Sequence, residues 1–313
     1  MRIRFTKCHG SGNDFPLVDA RGIERADAEW AAAARALADR SGPVGGDGLL
    51  LLTDGGGGCD FGQRMFNPDG SEAETCLNGL RCVGRAGLEA LGLDEAWVRL
   101  RRSEALVRRD AALAPGVCTI EERAGPASLD VREWPMRLGV EQVVDAVVPP
   151  LSDALRFTAV AMPNPHLVCF VEAVDEAELV RVGLLCEAAP EWLPNRANVS
   201  FVEARAGELF VRTHERGAGL TEACGSAMAA STYAAGLTGR APFGTAVAVR
   251  TRGGPARARA EADGIVTLSG NATFEWEGEV EVGPDGARDL VVTRRFDDEV
   301  AAWAAARREP VAG

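Results

Sequence analysis

The sequence contains a single lysine, Lys7, among 313 residues. Enzymes that use pyridoxal phosphate hold it as a Schiff base on a lysine. Lys7 lies in the predicted first strand, and no glycine-rich phosphate-binding segment stands directly beside it. The shortage of lysine therefore argues against pyridoxal catalysis, and we expect no cofactor.

Basic charge and long apolar runs are also scarce. The formal net charge is −12, which argues against nucleic acid or an anionic membrane surface as a partner. No run approaches the roughly 18 uninterrupted apolar residues of a membrane-spanning helix. The N-terminus starts directly as a strand, without the apolar core of a signal peptide. Together these features predict a cytoplasmic protein.

Paired cysteines with metal-ligand spacing are missing as well. The eight cysteines are scattered and form no C-x-x-C pair, so we expect no metal site. In a reducing compartment they should remain thiols. We expect five of them to be small buried apolar residues: Cys59, Cys82, Cys118, Cys169 and Cys186.

Hydrophobic periodicity and turn residues predict alternating strands and helices. Residues 9–14 form a turn-rich segment between strands 1–7 and 15–19. Helices are expected at 26–40, 77–90, 175–188, 225–237 and 297–308. Further strands are expected at 49–52, 60–66, 97–101, 105–109, 117–121, 157–162, 167–171, 198–202, 209–213, 289–294 and, as several short strands, 245–282. The apolar and proline-rich residues 148–151 are the predicted linker between two domains.

Two short cysteine segments organise the chain. Cys76 lies in ETCLNG and Cys224 in EACGSA, each where a polar, glycine-containing loop gives way to a predicted helix. A thiol at the first turn of a helix meets unpaired backbone N–H groups and the positive end of the helix dipole. That position lowers a thiol pKa and also receives an anion. Two such helix ends facing one another could hold a carboxylate between two ionisable thiols.

The two halves of the chain repeat one another. Asn67 precedes Cys76 by nine residues, and Glu215 precedes Cys224 by nine. A glutamate stands two positions before each cysteine, and an asparagine, Asn13 or Asn164, lies about 60 residues upstream. This shared order suggests two similar domains with a site in the cleft between them.

Such a site suits proton transfer at the α-carbon of an amino acid. A thiolate on one face can remove the proton while a thiol on the other face returns one. The helix N-termini can bind the carboxylate and spread the developing negative charge. The expected product has the opposite configuration, so the chemistry indicated is racemisation or epimerisation.

The sequence resembles the cofactor-independent diaminopimelate epimerases across roughly residues 1–280. The stretches that carry the resemblance are HGSGNDF (9–15), FNPDGSE (66–72), CLNGLRC (76–82), NPH (164–166), Asn198 with Val199, ERGAG (215–219) and ACGS (223–226). The resemblance implies an α+β fold of two pseudo-symmetric domains, each a curled mixed β-sheet or barrel wrapped around a central helix. It implies a first domain of residues 1–140 joined by about 275–313, a second of 141–274, and a homodimer.

The resemblance also assigns residues. It implies that Cys76 and Cys224 are the acid/base thiols and that His166 and Glu215 help set their protonation. Backbone N–H groups would hold the reacting carboxylate, and polar side chains would line the rest of the site. The implied substrate-binding residues are Asn13, Asn67, Leu77, Asn78, Asn164, Asn198, Glu215, Arg216, Gly225 and Ser226.

The sequence departs from the family pattern at several positions. Leu77 replaces a glycine after the first cysteine, Leu220 replaces an acidic residue after ERGAG, and Met228 replaces a small residue. Gly48 stands where a polar residue is often found, and the chain extends beyond about residue 283. These differences leave the thiols in place but concern the pocket that selects the substrate.

Three functions are therefore compatible with the sequence. The main hypothesis is interconversion of LL- and meso-2,6-diaminopimelate, a small-molecule substrate, in lysine and peptidoglycan precursor synthesis. The first alternative is a pyridoxal-independent racemase or epimerase acting on another amino acid. The second is a non-catalytic amino-acid-binding protein in which the cysteines are core residues. Asn13 and Asn67 could each be only turn formers, and Arg216 could belong to a solvated ion pair with Glu215.

Overall fold

The chain alternates strand pairs with single helices in a computed structural model that describes residues 1–73, 76–205 and 207–308. Glu74, the glutamate two positions before Cys76, and residues 309–313 lie outside the described residues. The chain divides into two compact units, Met1–Glu122 with Ser269–Gly313, and Arg123–Leu268. It passes from the first unit to the second and back within two strands, Thr119–Ala124 (β7) and Val266–Asn271 (β16).

The described residues of the first unit form a β-sheet and three helices. Its elements are β1 (Arg2–Gly10), β2 (Asn13–Asp19), α1 (Asp27–Ala38), β3 (Leu49–Gly56), β4 (Cys59–Phe66), α2 (Leu77–Leu91), β5 (Glu95–Arg99), β6 (Glu104–Arg109), β17 (Thr273–Gly283), β18 (Gly286–Arg295) and α5 (Asp297–Arg308). β1 pairs antiparallel with both β2 and β17. β2 pairs parallel with β3, β3 antiparallel with β4, β4 parallel with β5 and β5 antiparallel with β6.

The second unit repeats this order. Its elements are β8 (Ala146–Val147), β9 (Arg156–Ala161), β10 (Pro165–Val171), α3 (Glu176–Glu187), β11 (Asn198–Arg205), β12 (Glu208–Glu215), β13 (Gly219–Leu220), α4 (Gly225–Leu237), β14 (Val247–Thr251) and β15 (Gly254–Ala260). β9 pairs antiparallel with β10, and β10 parallel with β11. β11 pairs antiparallel with β12, β12 parallel with β14 and β14 antiparallel with β15. The order strand, strand, helix therefore recurs with the same parallel and antiparallel pairings, which confirms the predicted pseudo-symmetric α+β fold.

In each unit one helix lies against the inner face of the sheet. α2 contacts every strand from β1 to β6, and α4 contacts β9 to β12 and β15. Small residues allow this close packing: a Cβ at Gly87 of α2 would lie 2.5 Å from the Phe61 ring on β4. In α4, fully buried alanines, including Ala227 and Ala230, allow the same close packing against the sheet. Both central helices begin directly after a cysteine, so the fold places each thiol at the N-terminus of a buried helix.

The helices were predicted well, and the strands with small differences. α4 and α5 match the predicted ranges, and α1 and α3 are shorter by one or two residues at each end. The segment 9–14 is mostly strand rather than turn, because β1 continues to Gly10 and β2 begins at Asn13. The strand predicted at 117–121 lies at Thr119–Ala124, and the two-residue strands β8 and β13 were not predicted.

The predicted linker at 148–151 is wrong. Val148 and Leu151 are buried in the core of the second unit, where they pack with Phe157 and Leu167. Val131, Trp134 and Met136 belong to the same core. The boundary of the compact unit at Glu122 and Arg123 accordingly lies before the predicted domain boundary at residue 140, and its return at Ser269 lies before residue 275. The domain boundaries themselves stay a prediction.

Candidate active site

Cys76 caps the N-terminus of α2. Its backbone is extended (φ −139°), and its Sγ accepts a hydrogen bond from the Gly79 N–H at 3.4 Å. Its carbonyl accepts the first helical hydrogen bond, from the Leu80 N–H at 2.8 Å. The side chain is half-buried. A donor N–H and the positive end of the helix dipole both stabilise negative charge on this sulfur.

Asn13 lies beside the Cys76 thiol. The thiol donates to Asn13 Oδ1 at 3.8 Å, and the amide nitrogen of Asn13 donates to the Asp47 carboxylate. Asn13 reaches this position because it is the first residue of β2, directly after the two-residue turn at Ser11 and Gly12. The structure therefore brings together Asn13 and Cys76, which are 63 residues apart in the sequence.

Buried hydrogen bonds from the Arg81 side chain anchor the first turn of α2. Its guanidinium is fully buried and donates to Asn78 Oδ1 at 2.7 Å, to Ser11 Oγ at 3.1 Å and to Glu122 Oε1 at 2.7 Å. The Asn78 side chain thus points into the protein. Asn78 can contribute to a carboxylate site through its backbone N–H, in the first turn where Leu77 also lies.

Asn67 occupies a separate turn in the structure. Its carbonyl accepts the Gly70 N–H at 2.9 Å, and its side-chain nitrogen donates to Ser71 Oγ at 3.0 Å. The two asparagines predicted for the site in the first unit therefore differ. The Asn13 side chain is hydrogen-bonded to Cys76, whereas the Asn67 side chain is hydrogen-bonded to Ser71.

Cys224 caps α4 in the second unit as Cys76 caps α2 in the first. Its backbone is also extended (φ −126°), and its carbonyl accepts the Met228 N–H at 3.0 Å. The sulfur lies 3.4 Å from Ser226 Oγ. Burial raises the pKa of the Cys224 thiol well above its usual value, and the nearby Glu215 carboxylate raises this pKa further. The hydrogen bond from Ser226 acts in the opposite direction. Cys224 is therefore a protonated thiol in this environment.

Glu215 is held in place by its hairpin. It is the last residue of β12, and β12 pairs with the short strand β13 through His214 with Leu220 and Glu215 with Gly219. The Thr221 hydroxyl donates to Glu215 Oε1 at 2.6 Å. The carboxylate is thus fixed beside Cys224, where its negative charge disfavours the thiolate.

His166 is a neutral, fully buried imidazole. Its Nε2 lies 3.0 Å from Asn164 Oδ1 and 3.1 Å from Ser226 Oγ. Burial lowers the pKa of His166 to about 3, and the positive charge of Arg216 contributes to the lowering. Because Asn164 Oδ1 can only accept, Nε2 carries the proton and the Ser226 hydroxyl is available to donate to Cys224. A chain of hydrogen bonds thus runs from Asn164 through His166 and Ser226 to Cys224.

Asn198 and Arg216 meet at the ends of neighbouring strands. Asn198 begins β11, directly across from His166 on β10, and its Oδ1 accepts the Arg216 N–H at 2.9 Å. The Arg216 guanidinium donates to the Asn195 carbonyl at 3.0 Å. Burial lowers the pKa of Arg216, which remains a cation. Gly225 and Ser226 lie in the first turn of α4.

Three contacts of these groups were missed from the sequence. Asp47 bonds the Asn13 amide, Thr221 bonds Glu215, and Arg81 bonds Asn78. Arg81 lies within the motif CLNGLRC, and Thr221 lies between ERGAG and ACGS, which is a signal that could have identified both residues. Asp47 carries no such signal, since only the fold brings it to Asn13.

The departures from the family pattern are accommodated in different ways. Leu77 and Met228 are buried, and Leu220 is half-buried against the core of the second unit. Within the described ranges, no cluster of three or more His, Cys, Asp or Glu residues could hold a metal ion. No helix in the described part of the chain is long and apolar enough to cross a membrane.

Comparisons with known proteins identify the family of this chain. The diaminopimelate epimerase family model matches residues 5–103 and 158–275. The diaminopimelate epimerase of Clostridium acetobutylicum is 36% identical over 289 residues, which cover 90% of this chain and 86% of that protein. The diaminopimelate epimerase of Enterococcus faecalis is 39% identical over 286 residues, which cover 88% of each chain.

Solved structures share the fold at much lower sequence identity. A phenazine biosynthesis protein of the PhzF family from Bacillus anthracis has a TM-score of 0.65 and 14% identity, covering 90% of this chain and 100% of that one. A hydroxyproline epimerase from Agrobacterium vitis has a TM-score of 0.60 and 15% identity, covering 99% of this chain and 98% of that one. The family match and the two close relatives together establish that this chain belongs to the diaminopimelate epimerase family.

Proposed function

We propose that this protein interconverts LL- and meso-2,6-diaminopimelate by moving the α-proton between Cys76 and Cys224, without pyridoxal phosphate. One observation carries the proposal. Each cysteine is the N-cap of the central helix of its unit, at the same position in the repeated order of strands and helices. Two equivalent thiols suit a reaction in which one removes a proton and the other supplies one.

The proton transfer uses both thiols in turn. One thiolate takes the α-proton, so that the C–H bond breaks and its electron pair remains on the α-carbon and carboxylate. The other thiol donates its proton to the opposite face, which inverts the configuration. In this proposal the N–H groups of Leu77 and Asn78 and those of Gly225 and Ser226 bind the carboxylate on which the charge develops.

The environment of Cys224 favours its role as the acid at the start of the reaction. Burial and the Glu215 carboxylate both raise the pKa of this thiol, so it begins protonated. After Cys224 has given up its proton, the Ser226 hydroxyl can donate to the thiolate. Cys76, with the Gly79 N–H on its sulfur, is the corresponding base.

The distal amino-carboxylate end of the substrate requires a cation and several polar oxygens. We assign the carboxylate to Arg216, whose planar guanidinium suits bidentate binding. We assign the ammonium to Glu215 and to the amide oxygens of Asn164, Asn198 and Asn67. His166 belongs to this proposal as the neutral group that orients Ser226 and Asn164.

Hydrogen–deuterium exchange at the α-carbon tests the function. LL-diaminopimelate incubated in deuterated water should gain one deuterium per inversion, as followed by mass spectrometry and chiral chromatography. Cys76→Ser and Cys224→Ser should each lower turnover by at least about 100-fold, in the range that general acid–base catalysis supplies. Cys118→Ser, which alters a thiol away from both helix N-termini, is the matched control and should keep its activity.

The same assay separates the other candidate functions. Leu77 and Leu220 stand where the family has a glycine and an acidic residue, and this observation favours testing other amino acids. If another amino acid exchanged its α-proton and diaminopimelate did not, the assigned substrate would be wrong, but the proposed two-thiol proton transfer would stand. Binding without exchange, unchanged in both cysteine variants, would identify a non-catalytic binding protein.

We also propose a homodimer in the cytoplasm. All eight cysteines are thiols in the described chain, which suits a reducing compartment. The dimer is suggested by the family resemblance. Light scattering during size-exclusion chromatography tests it: a mass near twice 33.0 kDa is expected, and a mass near 33.0 kDa at all concentrations contradicts it.

A further inference from the structure

We propose that Asp47 is a positioning residue for Cys76: by binding the amide nitrogen of Asn13, it aims the amide oxygen at the thiol. This inference rests on the proposed function, in which Cys76 is one of the two acid/base groups. Asp47 acts on the Cys76 sulfur only through Asn13, to which both residues are hydrogen-bonded.

The hydrogen bonds around Asp47 fix which way the Asn13 amide points. Asp47 Oδ2 accepts from Asn13 Nδ2 at 2.5 Å and from the Asp14 N–H at 3.1 Å. An ionised carboxylate can only accept hydrogen bonds, so the nitrogen end of the amide must face it. The oxygen end therefore faces the Cys76 sulfur, 3.8 Å away.

Asp47 is itself held by a charged network. Arg40 donates to Asp47 Oδ1 at 2.7 Å and makes two further bonds to Asp14, at 2.6 and 3.0 Å. Lys7 forms an ion pair with the same Asp14 carboxylate. The titratable and charged groups that face this cluster include Lys7 and the neutral His9 from β1, Asp14 from β2, Arg40 from the segment after α1, Asp47, and Glu275 from β17.

The backbone around Asp47 is equally constrained. The Asp47 N–H donates to the Asp14 carbonyl at 2.8 Å, which ties the loop to β2. The next residue, Gly48, has a φ of +154°, and a Cβ there would lie 2.4 Å from the Phe66 carbonyl oxygen. A side chain at position 48 would therefore collide with the backbone of β4, and the side chain that this loop presents to Asn13 is that of Asp47.

The direction of the amide has a chemical consequence at Cys76. An amide oxygen accepts from the S–H group and favours the thiol, whereas an amide nitrogen would donate to the thiolate and favour that form. The Gly79 N–H and the helix dipole already stabilise the thiolate. By presenting the oxygen, Asn13 opposes them and keeps the sulfur basic enough to accept an α-proton.

The rate of iodoacetamide alkylation of Cys76 against pH tests this role. The rate is measured on the full chain by mass spectrometry of the peptide that contains Cys76. Asp47→Ala frees the Asn13 amide to turn its nitrogen to the sulfur, so the alkylation midpoint should fall by about one pH unit. Asp47→Asn should keep most of the original midpoint. Two donors, from Asn13 and Asp14, converge on the Oδ2 position and would orient the oxygen of the new amide there.

A double-mutant cycle separates positioning from charge. Asp47→Ala should shift the Cys76 midpoint strongly when Asn13 is present and only slightly in an Asn13→Ala background. Asp39→Asn removes a carboxylate from the same loop region, bonded to Ser41 rather than to Asn13, and should leave the midpoint unchanged. An equal shift with and without Asn13, or no shift in Asp47→Ala, would overturn the proposal.

The alkylation measurement also keeps this proposal apart from the proposed function. Alkylation needs no turnover, so a chain that fails to exchange the α-proton of diaminopimelate can still show the Asp47 effect. If the exchange assay succeeds, Asp47→Ala should lower kcat by about tenfold with little change in KM, because the groups proposed to bind the distal end of the substrate keep their contacts.

Discussion

Cysteines of one chain differ widely in their surroundings. Burial raises the pKa values of Cys169 and Cys186 to about 12, so these thiols are chemically inert near neutral pH. Cys118 was expected to be buried but is half-exposed, and burial still raises its pKa although the positive charge of Arg85 lowers it. Cys76 and Cys224 differ from all of these because each lies at a helix N-terminus with a hydrogen-bonding partner on its sulfur.

The first prediction concerns Glu215. The main cause of the raised pKa of Cys224 is burial, and the Glu215 carboxylate raises it further. Glu215→Gln removes that negative charge, so the pKa of Cys224 should fall. Alkylation of the peptide that contains Cys224 should then begin at lower pH than in the unmodified protein.

Glu222 provides a matched control for this prediction. It is an exposed glutamate two residues before Cys224, and it is not among the largest causes of the raised pKa of that thiol. Glu222→Gln should leave the alkylation profile of Cys224 unchanged. If both variants shifted the profile equally, a general change in charge would explain the effect.

The second prediction concerns two buried histidines. Burial lowers the pKa of His166 to about 3 and that of His9 to about 4, from an ordinary value of 6.5. Both are neutral when folded and become charged when unfolded below pH 6.5, so the unfolded chain binds more protons there. Their contribution to the free energy of unfolding is complete above pH 6.5 and is lost as pH falls below that value. For each pH unit of this fall, each histidine should reduce the free energy of unfolding by up to about 1.4 kcal/mol.

Urea unfolding between pH 6.5 and 5 measures this loss, in a range where most carboxylates stay ionised. His166→Gln and His9→Gln should each flatten the dependence of stability on pH, whatever they do to stability itself. An unchanged slope in both variants would contradict the assignment.

At the scale of elements, the sequence predicted helices better than their contacts. The start of α2 could be predicted because Cys76 ends a polar loop, and its end because Gly92 adopts the left-handed conformation that stops a helix. Asp47 could not be assigned in this way. Its partner, Asn13, lies 34 residues away in the sequence, and only the tertiary fold brings the two together, which local patterns do not encode.

The third prediction concerns the C-terminal helix α5, which follows the family match. Trp303 is 3% exposed and packs with Val117 and Ala306, while its ring centroid lies 6.0 Å from that of His9. Trp303→Ala should lower the free energy of unfolding by about 3–5 kcal/mol, because the cavity left by an indole cannot fully collapse.

Val300 on the same helix is the control, since its side chain is 38% exposed. Val300→Ala should cost less than about 1 kcal/mol. Chemical denaturation measures both, and hydrogen exchange of α5 locates the effect. A similar cost for the two variants would mean that α5 is not anchored through Trp303.

At the scale of the whole molecule, the duplication was predictable from the sequence, whereas the burial of the predicted linker was not. The paired spacings from Asn67 to Cys76 and from Glu215 to Cys224 anticipated the repeat of strands and helices seen in the two units. The burial of residues 131–151 in the core of the second unit was not predictable, because their apolar residues lack the regular spacing of a strand or helix.

The fourth prediction follows from the proposed use of both thiols on one α-carbon. Thiols close enough to serve one carbon can be oxidised by diamide, which takes up two hydrogens as the sulfur–sulfur bond forms. Oxidation without substrate should link Cys76 to Cys224 and abolish activity, and dithiothreitol should restore it. Substrate should protect the thiols.

Peptide mapping checks this linkage. Cys8 and Cys82 are hydrogen-bonded to each other inside the first unit and are the competing pair. Cys76→Ser should remove the linkage of Cys224 while leaving any bond between Cys8 and Cys82. Loss of activity with only Cys8 and Cys82 linked would exclude a Cys76–Cys224 disulfide as its cause.

The pairing of β1 with β17 has a consequence for the order of synthesis. Ile3 pairs with Val280 and Phe5 with Gly278, so β1, after leaving the ribosome, must wait for this pairing until β17 has been synthesised. The intervening 262 residues, 11–272, take roughly 13–50 s to translate at about 5–20 residues per second. The second unit, Arg123–Leu268, is continuous in sequence and is complete before that wait ends. During this interval one edge of β1 stays open, and an open strand edge is a place where nascent chains aggregate and chaperones bind.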